Sequence, residues 1–388
     1  MRNVIGPNTV LGYCTNVHAG ATFDQMIENL ERYSVPVRQQ VCPNQPMGIG
    51  LWFSNQAARD VIEQNRIDEL SSWLKERELL AYTINGFPHG DFHQPVVKHR
   101  VYHPTWAEQD RLDYTIDLAN ILCGLLTDDI EGSISTLPIG WRTDIGTSIL
   151  QSALNNLIAL ANKLHEIEKE TGKLIHVDIE PEPGCFLDRC NDMVRLFANL
   201  CQQSDPKIIL RHIRVCHDIC HTAVMFEDQT ETLQRYKAEG IKVGKVQISS
   251  AVRMRLNGLT GNERELAIDQ LRSFQEDRYL HQTVVDMGER SYFYEDLPIA
   301  LDKHCHDHGP VGEWRVHFHV PLFFERANFI ESTMDHVQTL LANVSELSDV
   351  RHFEVETYAW GVLPDELRVD DLSQGIAKEL SWVRGAIA

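Results

Sequence analysis

The chain has 388 residues, 36 of them basic and 56 acidic, for a net charge of −20 with histidine neutral. With 43 % hydrophobic and 24 % charged residues it has the composition of a globular protein, and it is long enough to bury a core without staples. The acidic excess argues against nucleic acid or an anionic membrane as partner, because phosphate contacts need clustered Lys and Arg.

The opening MRNVIGPNTVLGYC has one Arg and lacks the roughly 7–15-residue apolar core of a secretory signal, so none is expected. No run approaches the roughly 20 apolar residues of a membrane helix, so no integral membrane segment is expected. Nine cysteines, at 14, 42, 123, 185, 190, 201, 216, 220 and 305, form no CxxC pair. Reduced thiols in a cytoplasmic protein are the simplest reading.

Short β-branched or apolar runs predict strands at 10–16, 47–54, 79–87, 132–137, 173–180, 213–220, 243–249, 314–320 and 353–358. Amphipathic stretches lie between most of them. Asn55 can cap a helix running to Arg77, and Thr105 with Glu108 can form a capping box. Residues 148–171 carry Leu150, Leu154, Leu157, Ile158, Leu160 and Leu164 at helical spacing, with Gly172 placed as the stop. Regular βα alternation over about eight repeats predicts a (β/α)8 TIM barrel with a parallel sheet, as one domain over 1–388. Nine strands are one more than that barrel uses. The surplus falls after Ser250, where residues 251–313 are charged and irregular. We read them as a long insertion or lid after the seventh strand, with 314–320 inside it or lining the mouth.

In such a barrel, side chains at the C-terminal strand ends face the catalytic mouth. Ionisable residues gather there. KLIHVDIEPEPG places His176, Asp178 and Glu180 on one face, and IRVCHDICH ends on Asp218 with His221 three residues on. KVQISS presents Gln247 and Ser249, HFEVETY presents Glu354 and Glu356, and WRVHFHVP presents His317 and His319. Further imidazoles and an amide come from Asn16 and His18, from His89 and His93, and from His281 in the insertion. Carboxylates and imidazoles from separate strands at one barrel end suit a divalent metal: zinc, manganese or magnesium. It would polarise a carbonyl or hydroxyl, or activate a water. Taken singly, each residue reads equally well as a core group bonded to backbone or Arg. Glu180, Asp218 and Glu356 as a set favour the metal. His176 and Asp178 lie deeper and favour a structural network. Glu182 is a ligand or a loop carboxylate, Cys216 and Cys220 are packing, and His304, His306 and His308 read as a solvated helix end.

VCHDICHTAVMFED, residues 215–228, resembles the VCxDTCH segment of the endonuclease IV and xylose-isomerase-like barrels. That resemblance implies that Asp218 and His221 are metal ligands or lie close to the metal. Glu180 stands where that superfamily has a glutamate ligand, Glu356 in VET matches its last-strand glutamate, and His89 in FPHGDF resembles the third-strand His of the DNA-repair branch. Along nearly its full length the chain is similar to the metabolite traffic protein EboE family, in GYCTNVH (12–18), GLWFS (50–54), NGFPHGDFH (85–93), GSISTLPIGW (132–141), EPEPGC (180–185), CHDICHTAVMFED (216–228), GKVQISSA (244–251), WRVHFHVP (314–321) and EVETYAW (354–360). This similarity implies a xylose-isomerase-like barrel encoded with genes for exporting or processing a secondary-metabolite precursor. Two departures stand out. Gln247 replaces the superfamily's seventh-strand histidine, and Ser135, Thr136 and Leu137 replace the fourth-strand His of the repair branch. A three-zinc phosphodiesterase site is therefore incomplete, and a site of one or two metals is expected, with His319 or His281 supplying the missing nitrogen.

The function this predicts is a metal-dependent isomerase or epimerase acting on a small metabolite. Glu180, Asp218 and Glu356 are its expected ligands, with His319 as nitrogen ligand. His221 orients a ligand or donates a proton, and His281 is an acid/base candidate if the insertion covers the mouth. His89, Gln247 and Trp360 are the substrate-binding candidates. Trp141, Trp314 and Trp360 either wall an aromatic or amphipathic substrate or simply pack. An endonuclease IV-like phosphoesterase and a non-catalytic metabolite carrier are the alternatives, and a homo-oligomer is left open.

Overall fold

The computed structural model describes residues 1, 9–127, 130–343 and 350–387. Among the described residues fourteen strands follow in chain order: β1 (Val10–Tyr13), β2 (Met47–Trp52), β3 (Leu79–Asn85), β4 (Gly132–Thr136), β5 (Ile175–Ile179), β6 (Ile213–Asp218), β7 (Val243–Ile248), β8 (Val252–Arg255), β9 (Thr283–Asp286), β10 (Ser291–Tyr294), β11 (Glu313–Val316), β12 (Arg326–Ala327), β13 (Ile330–Ser332) and β14 (His352–Val355). Eight of them form a parallel sheet in the order β1-β14-β7-β6-β5-β4-β3-β2. A parallel bridge between Cys14 and Gly50 joins its two edges into a ring. Every residue of these eight strands is buried, as expected of strands covered by helices outside and packed side chains inside. The chain is a (β/α)8 TIM barrel, and no helix among the described residues is long and apolar enough to cross a membrane.

The helices differ from expectation in detail. The helix predicted from Asn55 to Arg77 is two, Asn55–Glu63 and Ile67–Glu76, capped by the Ser54 hydroxyl and broken at Asn65, whose φ of 54° is left-handed. Thr105 and Glu108 bond to each other, but the helix begins only at Gln109. The long helix Thr147–Thr171 stops at Gly172, where φ is 75°.

Between β7 and β14 the chain builds a second sheet, in the order β10-β9-β11-β8-β13-β12, with every pair antiparallel. It runs from Val252 to Ser332, past residue 313, and takes the predicted strand 314–320 as its member β11. Helices Gly261–Arg272 and Leu297–His308 pack on it around Met254, Leu271, Trp314 and Val316. The helix Met334–Asn343 then returns the chain to the barrel.

The barrel lumen is not apolar. Lys245 on β7 and Glu354 on β14 are fully buried and pair at 2.5 Å, and Lys245 also donates to Ser135 Oγ at 3.2 Å. Burial alone would push the ammonium down, but Glu354 outweighs it and holds Lys245 protonated. Alongside, Ser133 donates to Asp178 Oδ2 at 2.5 Å, and His176 Nδ1 lies 2.7 Å from Asp178 Oδ1. Room for these groups comes from missing side chains: a Cβ at Gly50 would collide with the Glu354 carboxylate, and one at Gly244 with that of Asp178. Removing one partner of the buried pair strands the other charge. Lys245→Met is expected to cost about 3–5 kcal/mol, and adding Glu354→Leu should restore most of it, both read by urea unfolding. A single variant as stable as the parent would show that the pair does not hold the lumen.

Candidate metal centre

Above that charged layer, the strand ends converge. One carboxylate oxygen each of Glu180, Asp218 and Glu356 lies within 4.8 Å of the others, and Asp218 makes a second group of the same reach with His221 and His319. All five side chains are buried. Glu180 follows β5, Asp218 ends β6 and Glu356 follows β14, so the barrel delivers three of the groups. His319 comes from the insertion, three residues past β11.

Two of the acids are held by one oxygen each. Ser249 Oγ and the His221 amide donate to Asp218 Oδ1 at 2.7 and 3.0 Å. Asn16 and Asn85 donate to Glu356 Oε1 at 2.7 and 2.9 Å. Glu180 Oε2 and Asp218 Oδ2 are buried without any hydrogen-bond partner. Burial raises Glu180 well above the ordinary carboxylate range, and repulsion from Glu356 and Asp218 adds to it. Burial likewise lifts Glu356 to about 8, with Asp218 and Glu354 contributing. Burial pushes Asp218 up too, but His221, His319 and the Ser249 hydroxyl outweigh it and hold this acid below its usual value.

The imidazoles are oriented in the same way. His319 Nδ1 lies 2.7 Å from the Glu356 carbonyl oxygen, and His221 Nδ1 lies 2.9 Å from that of Pro181. His317 Nδ1 lies 2.8 Å from Gln282 Oε1, and that amide is oriented by donating from Nε2 to Tyr102 OH and Glu182 Oε1. An oxygen acceptor at Nδ1 fixes the proton there and leaves Nε2 with its lone pair. His319 Nε2 has no partner and lies 4.0 Å from Asp218 Oδ2. His221 Nε2 and His317 Nε2 face each other at 3.1 Å. Two lone pairs at that distance repel, so this contact needs one proton, or a cation, shared between the rings. Burial lowers His319 to about 4 and His317 well below its ordinary value.

A cleft of about 550 Å³, its mouth included, opens over these groups. Glu180, Glu182, His221, His317, His319 and Glu356 line it, together with Asn16 and Asn85. The other predicted residues lie elsewhere. His281 is fully buried behind His317: Nδ1 is 3.0 Å from the His317 carbonyl oxygen and Nε2 2.7 Å from Glu276 Oε1, so neither nitrogen reaches the cleft. His89 packs its ring against Tyr114. Trp360 packs with Phe323 at the second sheet, and Tyr358 takes the place in the cleft wall. Gln247 is buried beside Asp218 and Glu354 in the strand register, with neither amide atom bonded, and does not line the cleft. Tyr102, Asn85 and Gln282 escaped the sequence reading. Asn85 ends β3, two residues short of the end predicted for that strand, whereas Tyr102 and Gln282 come from irregular segments without periodicity.

The fold is that of xylose-isomerase-like TIM barrels. The chain is similar to a protein of that description from Mycobacterium smegmatis, solved in complex with magnesium, at 10 % identity over 98 % of each chain and a TM-score of 0.53. It also matches the IolI protein solved with a zinc atom (10 % identity, 98 % and 99 % of the two chains, TM-score 0.49) and the probable 3-DHS dehydratase AsbF of Bacillus anthracis (12 %, 96 % and 97 %, 0.48). No family model and no curated protein matches the sequence.

The raised Glu356 has a consequence for metal-free protein. The folded chain holds this proton more tightly than the unfolded chain, so stability falls as pH rises from about 4.5 to about 8. Glu356→Gln is expected to flatten that slope and to raise the neutral-pH melting temperature of chelator-treated protein by a few degrees. Scanning calorimetry across that range checks it, and an unchanged slope would place the pH dependence on other groups.

Proposed function

We propose that the chain is a metal-dependent enzyme of isomerase or epimerase type, acting on a small metabolite. One observation carries this: Glu180 Oε2, Asp218 Oδ2 and His319 Nε2 are buried, partnerless and gathered around Asp218. Orphaned acceptors of both types in one place match the donor set of a divalent cation, and buried polar groups are otherwise bonded. Glu180, Asp218, Glu356 and His319 would hold it. When bound, the ion supplies Lewis acidity toward a substrate carbonyl or hydroxyl.

The remaining residues position groups and handle protons. Ser249, Asn16 and Asn85 hold one oxygen of Asp218 or Glu356 and leave the acids aimed at the common centre. The His221–His317 pair, facing at Nε2, is placed to pass a proton at the cleft, with His221 Nδ1 3.9 Å from Glu180. Glu182 Oε1, held by Tyr102 and Gln282 at 2.8 and 2.9 Å, keeps the far side of that pair in register. His281 acts from behind, bracing the backbone of His317. The insertion is the lid of a one-domain barrel, and the motif similarity to the EboE family supports a secondary-metabolite precursor as substrate.

Two measurements test this. Elemental analysis of protein purified without chelator should find zinc, manganese or magnesium, and Glu180→Gln with Asp218→Asn should remove it; unchanged metal content would dismiss the ligand set. Deuterium uptake from heavy water into a panel of hydroxy ketones, followed by NMR, should depend on metal. His317→Phe should slow it roughly 100-fold or more, the usual worth of a positioned proton-transfer group. Full uptake in that variant would remove the pair from the reaction.

A further inference from the structure

The wall of the cleft differs in character from its floor. Phe87, Phe92, Val97, Val101 and Leu280 line it without a polar side-chain atom. Three rings from three segments close over the centre: Phe92 after β3, Tyr279 in the insertion and Tyr358 after β14, with centroids 4.9, 5.0 and 5.6 Å apart in pairs. Tyr358 also packs on His319 at 4.7 Å. The hydroxyls of two wall tyrosines are committed, Tyr279 to the Phe92 carbonyl oxygen at 3.2 Å and Tyr102 to Glu182 at 2.8 Å. Among the described lining residues the single Lys or Arg is Lys98. Its ammonium is bound to Asp296 at 2.6 Å and to the Glu276 carbonyl oxygen at 3.3 Å.

These observations constrain what can enter. A phosphorylated or carboxylated molecule would meet Glu180, Glu182 and Glu356 with no uncommitted lysine or arginine to neutralise it. A polyol would find on that wall, besides the Tyr358 hydroxyl, side chains that are apolar or already bonded, and most of its hydroxyls would lose their water without return. A molecule with oxygens at one end and an apolar ring at the other loses nothing on either surface. We infer that the substrate class is uncharged and amphipathic, with adjacent hydroxyl and carbonyl oxygens directed to the floor and an apolar, ring-bearing body against Phe92, Tyr279 and Tyr358. This rests on the metal-centre reading for the polar end only; the wall stands on its own lining.

Three probes share one hydroxy-ketone head and differ in the body: phenacyl alcohol, dihydroxyacetone and dihydroxyacetone phosphate. Calorimetry on the metal-loaded chain should show phenacyl alcohol binding roughly tenfold or more tightly than either of the others, the worth of burying a ring. Phe92→Ala and the milder Phe92→Leu should erode that difference in that order, while the metal content of both stays that of the parent and reports that they fold. Preference for the phosphate, equal binding of all three, or a preference untouched by Phe92→Ala with metal retained would each overturn the inference. The two readings fail separately. A phenyl preference that persists in protein shown to hold no metal keeps the wall and sinks the metal centre. A metal-loaded chain without that preference does the reverse.

Discussion

Three buried acids share one space at the mouth of this barrel, and they cannot all be ionised there without a counter-charge. Burial, with repulsion added to it, raises two of the carboxyls, Glu180 and Glu356, beside an Asp218 held down by imidazoles and hydrogen bonds. Much of the surrounding structure serves to keep this arrangement in place. Lys245, paired with Glu354 one layer below, puts an ammonium under the acids that lowers both Glu180 and Glu356, although Glu354 itself raises Glu356. Glycines at 50 and 244 are what allow charged side chains into the lumen. A barrel filled with branched apolar residues would be easier to fold, but it would give the acids no such support.

The second sheet completes the site rather than decorating it. The barrel strands contribute carboxylates and amides, while the unpartnered imidazole nitrogen of His319 and the ring facing His221 both come from the segment after β11. That segment is tied to the barrel through its own backbone and through the acids: His319 bonds the carbonyl of Glu356, and Glu379 on the helix Leu372–Ile387 accepts both from Leu322, three residues past His319, and from Thr357, next to Glu356. The backbone of Val97 and Lys98 donates to the Arg278 carbonyl oxygen, which stitches the loop after β3 to the insertion on the other side of the cleft. Floor and cover are therefore one mechanical unit.

How much of this the sequence showed depends on periodicity. Strand alternation exposed Glu180, Asp218 and Glu356 because each sits at or just past the end of a regular strand, where position along the chain predicts position in space. His317 and His319 showed as a pair for the same reason, although they follow β11 of the second sheet and not a barrel strand. Where the chain is irregular the signal is lost. His281 and Gln282 are adjacent, yet the imidazole turns back to Glu276 while the amide reaches Tyr102 and Glu182. Trp360 and Tyr358 lie two apart in a short helical turn, and only Tyr358 faces the cleft. The break at Asn65 depends on a left-handed residue inside an otherwise continuous amphipathic pattern, which hydrophobic spacing does not register.

The donor set itself bears on which ion such a site would favour. Carboxylate oxygens alone suit hard cations such as magnesium, whereas each added imidazole shifts the balance toward zinc. Here the nitrogen does not come from the barrel's seventh strand, where Gln247 stands with an amide that no neighbour bonds. It comes from the insertion. On the proposed reading the nitrogen ligand and the cover over the acids come from the same segment, so metal preference would be set by the insertion and not by the barrel strands. The aromatic cover is part of that arrangement: Tyr358 packs on the His319 imidazole at 4.7 Å and would keep water from that ligand.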